Sequence, residues 1–360
     1  MCTESLATAG DSRLRRRNAL AAVVFMFSGF WLAGCGSSPQ DARSSRLLSS
    51  VRGAGLTAIV TPSRPEGRSA AASVRAAAAV AGEYQFEFFD GTPAASSTTV
   101  YGLNDPSVAV GNYFSARHLH GLVWTKGTVQ TVDVPFPGAI GTDWRAINDR
   151  GTIIGGWGDQ DFFVHGAQRS ASGTITRFDY PNAAETFPGG INDHGEIVGS
   201  HDEGDITGAG FLYRDGRFID LPDVPQAPQQ NYPAAINNAG VIAGNYLDGF
   251  DQSPFGISHG YILRDGNYAT FDFPGSVYTY VNALNDLGQA VGFYDLADGS
   301  EEGFIFESGK NRFRTFSCPG AAFTDALAIN NRGQVGGICA TAAGFQGFVA
   351  TPVHSGSGDE

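Results

Sequence analysis

The chain has 360 residues, with 49 Gly and 26 Phe but only 16% charged residues. This composition suits short strands joined by tight turns and excludes a coiled coil or helical bundle, which would need far more Lys, Glu and Leu. The net charge is −13, and residues 83–360 hold 13 of the 23 basic and 32 of the 36 acidic residues. Such an acidic part does not favour nucleic acid or an anionic membrane surface as a partner, because phosphate binding needs clustered Lys and Arg.

Residues 1–35 have the pattern of an export signal. Basic residues between Arg13 and Arg17 precede the apolar run Ala19–Ala33, which is too short to span a bilayer. The run ends in Leu32-Ala33-Gly34-Cys35, which resembles the bacterial lipobox. By that resemblance Cys35 becomes the lipidated first residue, and Gly36 after it favours the outer membrane, on its periplasmic or cell-surface side. An ordinary cleaved signal with a chance cysteine is the alternative.

Residues 36–82 are rich in Ser, Ala, Arg and Gly and show no period-2 pattern. They predict a flexible tether between a membrane anchor and a folded part at 83–351. Residues 352–360 are predicted to form a disordered tail.

The folded part is built from six copies of one pattern. Their cores begin at Leu103-Asn104-Asp105, Ile147-Asn148-Asp149, Ile191-Asn192-Asp193, Ile236-Asn237-Asn238, Leu284-Asn285-Asp286 and Ile329-Asn330-Asn331. Successive copies start 44, 44, 45, 48 and 45 residues apart. A period in this range is typical of a repeat architecture.

Each copy contains four short β-runs, which we call strands a, b, c and d. Asn-Asp-x-Gly between a and b, and Asp215-Gly216 or Asp265-Gly266 between c and d, supply residues that tolerate positive φ in tight hairpins. Four antiparallel strands per copy, arranged in a ring, predict an all-β fold with the blades of a β-propeller.

The two ends of the repeat array complement each other. The sixth copy stops after its strand c, and Tyr84 to Gly91 match the strand-d pattern before any other strand has appeared. Pairing this N-terminal strand with the C-terminal blade would close a six-bladed propeller and bury both edges. An open solenoid is the alternative.

The strand-c segments read His120-Gly121-Leu122, Ala209-Gly210-Phe211, His259-Gly260-Tyr261 and Gln346-Gly347-Phe348. These units resemble the repeat family of bacterial surface proteins named for a His-Ala-Phe tripeptide (HAF), with Gly where the family name has Ala. The resemblance covers residues 83–351. It implies a propeller outside the cytoplasm and brings no settled activity or catalytic residues.

Alternation of the strands places the a–b and c–d turns on one face and the longer, variable b–c and d–a loops on the other, the loop-rich face. Loops carry function on a rigid scaffold, so the loop-rich face is the predicted binding face. Distinctive residues end strand b there: Tyr113, Trp157, His201, Tyr246, Tyr294 and Cys339. Aromatic rings at a channel mouth suit stacking against a sugar or another planar ligand. The alternative is that they fill the core between blades.

Acidic residues follow these strand ends: Asp159, Asp161, Asp202, Glu203, Asp205, Asp248, Asp251, Asp295 and Asp298. Carboxylates with Gly between them could hold Ca²⁺, although no loop has the twelve-residue calcium spacing and solvated acids are the simpler interpretation. No other cofactor is predicted. His118, His120, His165 and His259 precede or open strand c, so their recurrence follows from the repeat.

Two cysteines remain for the folded part. Cys318 ends strand d of the fifth copy and Cys339 ends strand b of the sixth, on the same face of neighbouring blades. In an oxidising compartment they could form a disulfide, with two free buried thiols as the alternative.

Two functions are compatible with these patterns. The first is a monomeric, non-catalytic binding or scaffold module anchored to the membrane by its lipid, taking a glycan, a peptide or an envelope protein. The second is a propeller hydrolase or lyase with a possibly metal-containing site at the channel mouth, whose candidate residues are His201, Asp202, Asp248 and Asp295. The first is favoured because no copy inserts a loop with a convergent catalytic set, and fold alone cannot choose between them.

Overall fold

The turns of the repeat are set by residues with left-handed backbone conformations. The last position of the Asn-Asp-x-Gly turn is a Gly with φ between 73° and 82° in five copies, at positions 151, 195, 240, 288 and 333. Asp215 and Gly216 have φ of 51° and 77°. Because glycine has no Cβ, it adopts these angles without steric cost, so each turn is fixed locally by its own sequence.

The structure, a computed structural model, describes residues 77–81, 83–203, 208–249 and 256–353. These residues form six repeated units of antiparallel strands. The first strands are β3 (Ser97–Leu103), β7 (Gly141–Ile147), β11 (Glu185–Ile191), β15 (Asn231–Ile236), β19 (Tyr278–Leu284) and β23 (Thr324–Ile329). The second strands are β4 (Val108–Ser115), β8 (Ile153–Gly158), β12 (Ile197–Asp202), β16 (Ile242–Asp248), β20 (Gln289–Asp295) and β24 (Val335–Thr341).

The outer halves of the units are equally regular. The third strands are β5 (His118–Thr125), β9 (Val164–Arg169), β13 (Ala209–Arg214), β17 (Ile257–Arg264), β21 (Glu301–Glu307) and β25 (Gly344–Pro352). The fourth strands are β6 (Thr128–Thr131), β10 (Ile175–Arg177), β14 (Arg217–Asp220), β18 (Asn267–Phe271), β22 (Arg312–Phe316) and, for the last unit, β2 (Tyr84–Phe89). A 3₁₀ turn spans Ser308–Lys310, and β1 (Ala77–Ala81) pairs with the outer side of β2.

The predicted pairing of the chain ends is observed. Strand β2 runs antiparallel to β25, with Tyr84 opposite Pro352 and Phe89 opposite Gly347. Strand β1 adds a fifth strand to this unit, so residues 77–81, which the sequence assigned to the tether of residues 36–82, pair with the folded part. Pro352 still belongs to β25, one residue beyond the predicted boundary.

Single-residue parallel bridges connect some of the units edge to edge. Phe345 pairs with Ser97 and Leu119 pairs with Gly141, so the last, first and second units form one mixed 13-stranded sheet. The third, fourth and fifth units are separate four-stranded sheets.

The first strands follow one another as spatial neighbours, and β23 of the last unit lies beside β3 of the first. Within these strands, the residue four positions before the turn Asn is buried in every unit, whereas the positions three and five before it are half-buried in most units. Successive side chains of a strand point to opposite sides. The half-buried positions therefore share one side of the first strands, which we call the channel wall.

The hydrophobic core lies between neighbouring units. One cluster joins Val110 of β4 with Trp144 of β7 and Ile153 of β8, and another joins Ala235 of β15 with Val281 of β19. Trp144 and Val281 are fully buried. Each unit thus completes its core only with the next one, which is why a single repeat could not fold alone.

Cys318 and Cys339 form a disulfide, with their Cα atoms 6.4 Å apart and a sequence separation of 21. Of the two alternatives left by the sequence, the structure contains the bonded pair. It joins the segment after β22 to β24 of the last unit.

The predicted signal, Cys35 and residues 36–76 of the tether lie outside the described residues, as do residues 354–360 of the tail. Within the described part of the chain, no helix has the length and apolar character needed to cross a membrane.

Candidate functional site

The residues that end the second strands, which the sequence predicted to ring the channel mouth, are buried. Tyr113, Trp157, Tyr246 and Tyr294 are 3–6% exposed, and the His201 side chain is 12% exposed. The alternative interpretation, that these residues fill the core, is the one that the structure supports.

Three of these rings stack on the histidine that opens the third strand. The ring centroids are 5.1 Å apart for Tyr113 and His120 and 4.9 Å apart for Tyr246 and His259. Each histidine also contacts an aspartate just after the fourth strand, with Nδ1 of His120 2.9 Å from Asp133. We call these sets stacked triplets. Their imidazoles are held between an aromatic ring and a carboxylate, which is a structural role that recurs with the repeat.

His201 occupies the aromatic position of the third unit. Its ring stacks on Tyr180 at a centroid distance of 3.6 Å, and Nε2 lies 3.9 Å from Asp220. Burial lowers the pKa of His201, although the charges of Asp220 and Glu203 act in the opposite direction. This imidazole is therefore neutral near pH 7 and packed against its own unit.

The other three catalytic candidates have separate neighbours. Asp202 is 5% exposed at the end of β12. Asp248 lies 3.1 Å from Nε2 of His259 in a stacked triplet. Asp295 lies opposite Glu301 on the neighbouring strand. The structure therefore does not bring His201, Asp202, Asp248 and Asp295 together as one catalytic set.

The acidic loops are only partly described, since Asp205 and Asp251 lie outside the described residues. Among the residues that are described, no group of three or more His, Cys, Asp or Glu side chains is arranged to hold a metal ion.

The channel wall carries a polar arrangement that the sequence analysis missed. Asp143 and Arg145 of β7 form an ion pair with 2.7 Å between Oδ2 and Nε. Asn112 Nδ2 donates to the other oxygen of Asp143 at 2.7 Å. The Arg145 guanidinium lies 4.2 Å above the Tyr101 ring, a cation–π distance. The one arginine of this wall is thus already engaged by a carboxylate and a ring.

Next to this pair the wall is acidic. Asp295 and Glu301 are opposite each other on β20 and β21, and Asp325 of β23 is hydrogen-bonded to Glu301. An Oδ1 atom of Asp295 and one of Asp325 are buried, and neither has a hydrogen-bond partner among the described residues. Burial raises the pKa of Asp295 to about 7, with a further contribution from the charge of Glu301. Burial also raises the pKa of Asp325 well above its usual range, helped by Glu301 and Asp295.

Tyr280 of β19 completes this wall. Its ring stacks on Phe293 with centroids 4.6 Å apart. Burial raises the pKa of its hydroxyl, and the charges of Asp295, Tyr278 and Glu301 add to that effect. The hydroxyl therefore stays protonated and can donate or accept a hydrogen bond beside the carboxylates.

The six sequence copies contain a pattern that indicates this wall. The position six before the turn Asn is Thr in five of the six copies, and its hydroxyl accepts a backbone N–H, as Thr142 does from Val134 at 3.0 Å. The position five before the Asn carries four residue types: Thr99, Asp143, Phe187, Tyr232, Tyr280 and Asp325. The position five before the Asn varies between copies, whereas the position next to it is nearly constant. The variable position therefore belongs to a surface that the fold does not constrain.

No protein-family model and no curated protein matches this chain. Solved structures do. A TolB from Agrobacterium tumefaciens shares 15% identity at a TM-score of 0.47, covering 75% of this chain and 99% of its own. AofleA from Arthrobotrys oligospora shares 11% identity at 0.46, covering 73% and 85%. A fungal lectin from Aleuria aurantia, described as a six-bladed β-propeller with a fucose recognition mode, shares 11% at 0.43, covering 67% and 92%. Likenesses this distant transfer no ligand or activity.

Proposed function

We propose that this chain is a six-bladed β-propeller closed by β2, with the HAF-type repeats found in bacterial surface proteins. Strand β23 lies beside β3, and β2 pairs antiparallel with β25. Both observations support closure of a ring. The propeller domain would span residues 77–352, preceded by the signal of residues 1–35 and the tether.

The proposed location of the protein in the cell follows from the N-terminal sequence. The lipobox-like Leu32-Ala33-Gly34-Cys35 supports an exported protein lipidated at Cys35 and anchored in the outer membrane. The tether would hold the acidic propeller away from the lipid surface. Labelling with a radioactive fatty acid, and its loss in Cys35→Ala, tests the anchor.

The proposed activity is non-catalytic binding by a monomeric propeller, at the channel and its mouth on the loop-rich face. The observation that carries this proposal is the contrast between repeating core positions and the varied, half-buried channel wall. The histidines that could serve as general bases are held in stacked triplets, and the four catalytic candidates have separate neighbours. A glycan, a peptide or an envelope protein are the ligand classes to test, and Ca²⁺ is the one metal to include.

A second function, a hydrolase or lyase, has one observation in its favour. Asp295 has its pKa raised to about 7 beside Glu301, which is the range a general acid or base requires near neutral pH. If the channel is an active site, Asp295→Asn combined with Asp325→Asn would abolish turnover of any substrate that is found.

A thermal-shift screen of the purified protein against glycans, peptidoglycan fragments, peptides, Ca²⁺ and EDTA tests the binding function. A ligand at about a hundred times its Kd should stabilise the fold by about 2.7 kcal/mol. A lasting shift that Tyr280→Phe or Asp325→Asn abolishes supports binding at the channel. A shift that decays as the ligand is consumed supports the enzyme instead, and no shift with any compound contradicts small-ligand binding.

A further inference from the structure

Three units share a contact between a tyrosine and a threonine, and the second unit has a different pair of residues at these positions. In the first unit the hydroxyls of Tyr113 and Thr131 are 2.8 Å apart. Tyr246 makes the same bond with Thr270, and Tyr294 makes it with Thr315. In these three units the polar end of a buried tyrosine is satisfied by a threonine of the fourth strand.

In the second unit the equivalent residues are Trp157 and Arg177. Arg177 is opposite Ala167 in the register, as Thr131 is opposite Leu122 in the first unit. Trp157 is 3% exposed, and its buried Nε1–H has no hydrogen-bond partner among the described residues. An unpaired buried donor is costly, so this one stands out against its satisfied counterparts.

Arg177 is held over this tryptophan. Its Cζ lies 4.9 Å from the Trp157 ring centroid and 5.1 Å from that of Phe136. The side chain is exposed and forms no ion pair within the described part of the chain, in a protein that is strongly acidic. Two flat rings therefore fix the plane of a guanidinium whose own donors remain available.

The nearby carboxylates are occupied elsewhere. Asp159 accepts the backbone N–H groups of Asp161 and Phe163, both at 2.9 Å, and lies 3.3 Å from His165. Asp179 accepts the N–H of Gly166 at 2.9 Å and lies 3.5 Å from His165. Both carboxylates therefore interact with the loop and the third strand rather than with Arg177.

The chemistry of the pair defines the ligand group. The Nε1–H of Trp157 is buried, so the guanidinium of Arg177 provides the accessible donors. An arginine side chain only donates hydrogen bonds, so its complement is a group that accepts them. A carboxylate matches the planar fork of a guanidinium with two parallel hydrogen bonds.

The loops that flank Trp157 carry exposed apolar side chains as well as these two acids. Ile140 is 39% exposed, and its N–H donates to Gly158, the residue after Trp157. Phe162, in the next loop, is 55% exposed with φ of 64°, an uncommon conformation for a bulky residue. An apolar substituent beside the carboxylate would be covered here, whereas a hydroxyl-rich one would not.

We infer that Arg177, with Trp157 beneath it, binds a carboxylate carried next to an apolar group, as at the C-terminus of a peptide that ends in a large apolar residue. The inference rests on the proposed binding function and names a ligand class for the loop-rich face. It adds a site separate from the acidic channel wall.

The test uses the whole protein and two N-acetylated peptides that end in Gly-Gly-Phe, one with a free carboxyl and one amidated. The matched variant is Trp157→Tyr with Arg177→Thr, which rebuilds the Tyr–Thr pair of the first unit and so should keep the fold. Calorimetric titration should show at least about tenfold tighter binding of the free acid by the natural protein. The double variant should lose that preference while its unfolding midpoint stays within a few degrees.

Equal binding of acid and amide, unchanged binding by the double variant, or no binding of either peptide would overturn the inference. Preferential binding of an oligogalacturonate over the peptide acid, abolished by Arg177→Thr, would also overturn it by assigning the carboxylate to a sugar. If the peptides fail but the thermal-shift screen finds another ligand, the proposed function stands without this site. If that screen is also negative, the proposed function and the inferred carboxylate site are both contradicted.

Discussion

The Nδ2 atom of Asn330 donates a hydrogen bond of 2.9 Å to the carbonyl oxygen of Asn104, which lies 226 residues away in the sequence. The turn Asn of every described unit makes this bond to the turn Asn of the next. The other bonds run from Asn104 to Asn148, Asn148 to Asn192, Asn192 to Asn237, Asn237 to Asn285 and Asn285 to Asn330, at 3.0–3.2 Å. The cycle returns to its start, so the same side chain that shapes a turn also joins one unit to the next.

Asn330→Ala is expected to lower the free energy of unfolding by about 2–3 kcal/mol, because three buried hydrogen bonds and a partly buried one are lost. Oδ1 of Asn330 accepts the N–H of Gln334 at 3.0 Å, and Nδ2 satisfies Asn104. Denaturant unfolding measures the change. Asn267→Ala, which removes an exposed bond to Asp265 in an outer turn, is the control and should cost less than about 0.5 kcal/mol. Equal losses in both variants would contradict the role of the cycle.

A second cycle lies beside the first. The backbone N–H of Asn331 donates to Asp105 at 2.8 Å, and its Nδ2 donates to Asp105 at 3.1 Å and to Asp286 at 2.9 Å. Asn331→Asp would place a third carboxylate between these two. We expect a loss of about 1–2 kcal/mol at pH 7 in low salt, because like charges at this distance repel each other.

Because the new carboxyl would have its pKa raised in the folded chain, the loss should vanish below about pH 4 and shrink with added salt. Urea unfolding at pH 3.5 and pH 7, each in low and high salt, checks both expectations. Asn331→Ala serves as the control, since it loses the Nδ2 bonds, and also the bond that Oδ1 accepts from the N–H of Asp286, without adding charge. Its loss should depend less on pH. A loss that does not change with pH or salt would contradict the electrostatic explanation.

The sequence predicted the parts of this fold that are set locally. The glycine at the end of each Asn-Asp-x-Gly turn takes its conformation from its own turn, and the pairing of Tyr84 to Phe89 with the last unit follows from counting strands. The asparagine cycle could not be read from the sequence, because a hydrogen bond between copies depends on how the units pack and not on the turn itself. Asn104 was interpreted only as a turn residue.

The candidate site was harder to predict than the fold. Alternation along a strand indicates which side Tyr113 or Trp157 faces, but not that His120 or Phe136 covers it. The carboxylates of Asp295, Glu301 and Asp325 come from two units. Asp143 shares the repeat position of Asp325, and Asp202 shares that of Asp295, so the period does not show that these three carboxylates meet. What the sequence did contain was the variation between copies at the channel positions, which a comparison of the repeats would have found.

The closing strand is expected to carry a large share of the stability. Phe86 is 1% exposed, and its ring centroid lies 5.6 Å from those of Phe316 and Phe348. Phe86→Ala should cost about 3–5 kcal/mol, since it leaves a cavity between the N-terminal strand and the last unit. Ile219→Ala on an outer strand, where the side chain is 47% exposed, should cost less than about 1 kcal/mol.

Unfolding midpoints in guanidinium compare the two closing-strand variants. Limited proteolysis adds a second readout, because release of β2 should expose cleavage near residue 84 before the rest of the chain is cut. If Phe86→Ala is as stable as Ile219→Ala, β2 does not hold the ring closed.

The disulfide between Cys318 and Cys339 should stabilise the last unit. Closing a loop between cysteines with a sequence separation of 21 restricts the unfolded chain, which is worth about 3 kcal/mol in the chain-entropy account. Replacing both cysteines by Ala, or reducing the natural protein, should lower the unfolding midpoint by a similar amount. Mass spectrometry of peptides before and after reduction identifies the bond. The double Ala variant should no longer respond to reductant, and a response that persisted would place the sensitive bond elsewhere.

The acidic wall of the channel predicts that stability falls as the pH rises. Burial raises the pKa of Asp295 to about 7, while the unfolded chain has an ordinary carboxyl near 3.8. An acid whose pKa is higher in the folded chain binds its proton more tightly there, so its contribution is complete below about pH 4 and is lost as the pH rises through about 7. The shift sets an upper limit of about 4 kcal/mol for Asp295, which water in the channel reduces.

Asp295→Asn should flatten the decline in unfolding free energy between pH 4 and pH 7 and leave the variant more stable than the natural protein at pH 8. Asp298→Asn is the matched control from the same loop. The hydroxyl and the backbone N–H of Ser300 lower the pKa of exposed Asp298, so its replacement should leave the decline in place. Urea titrations at half-unit steps of pH measure both slopes. If Asp295→Asn retains the full decline in unfolding free energy, the buried carboxyls of the channel wall are not the cause of that decline. The charge of the wall then has to be compensated by groups other than Asp295.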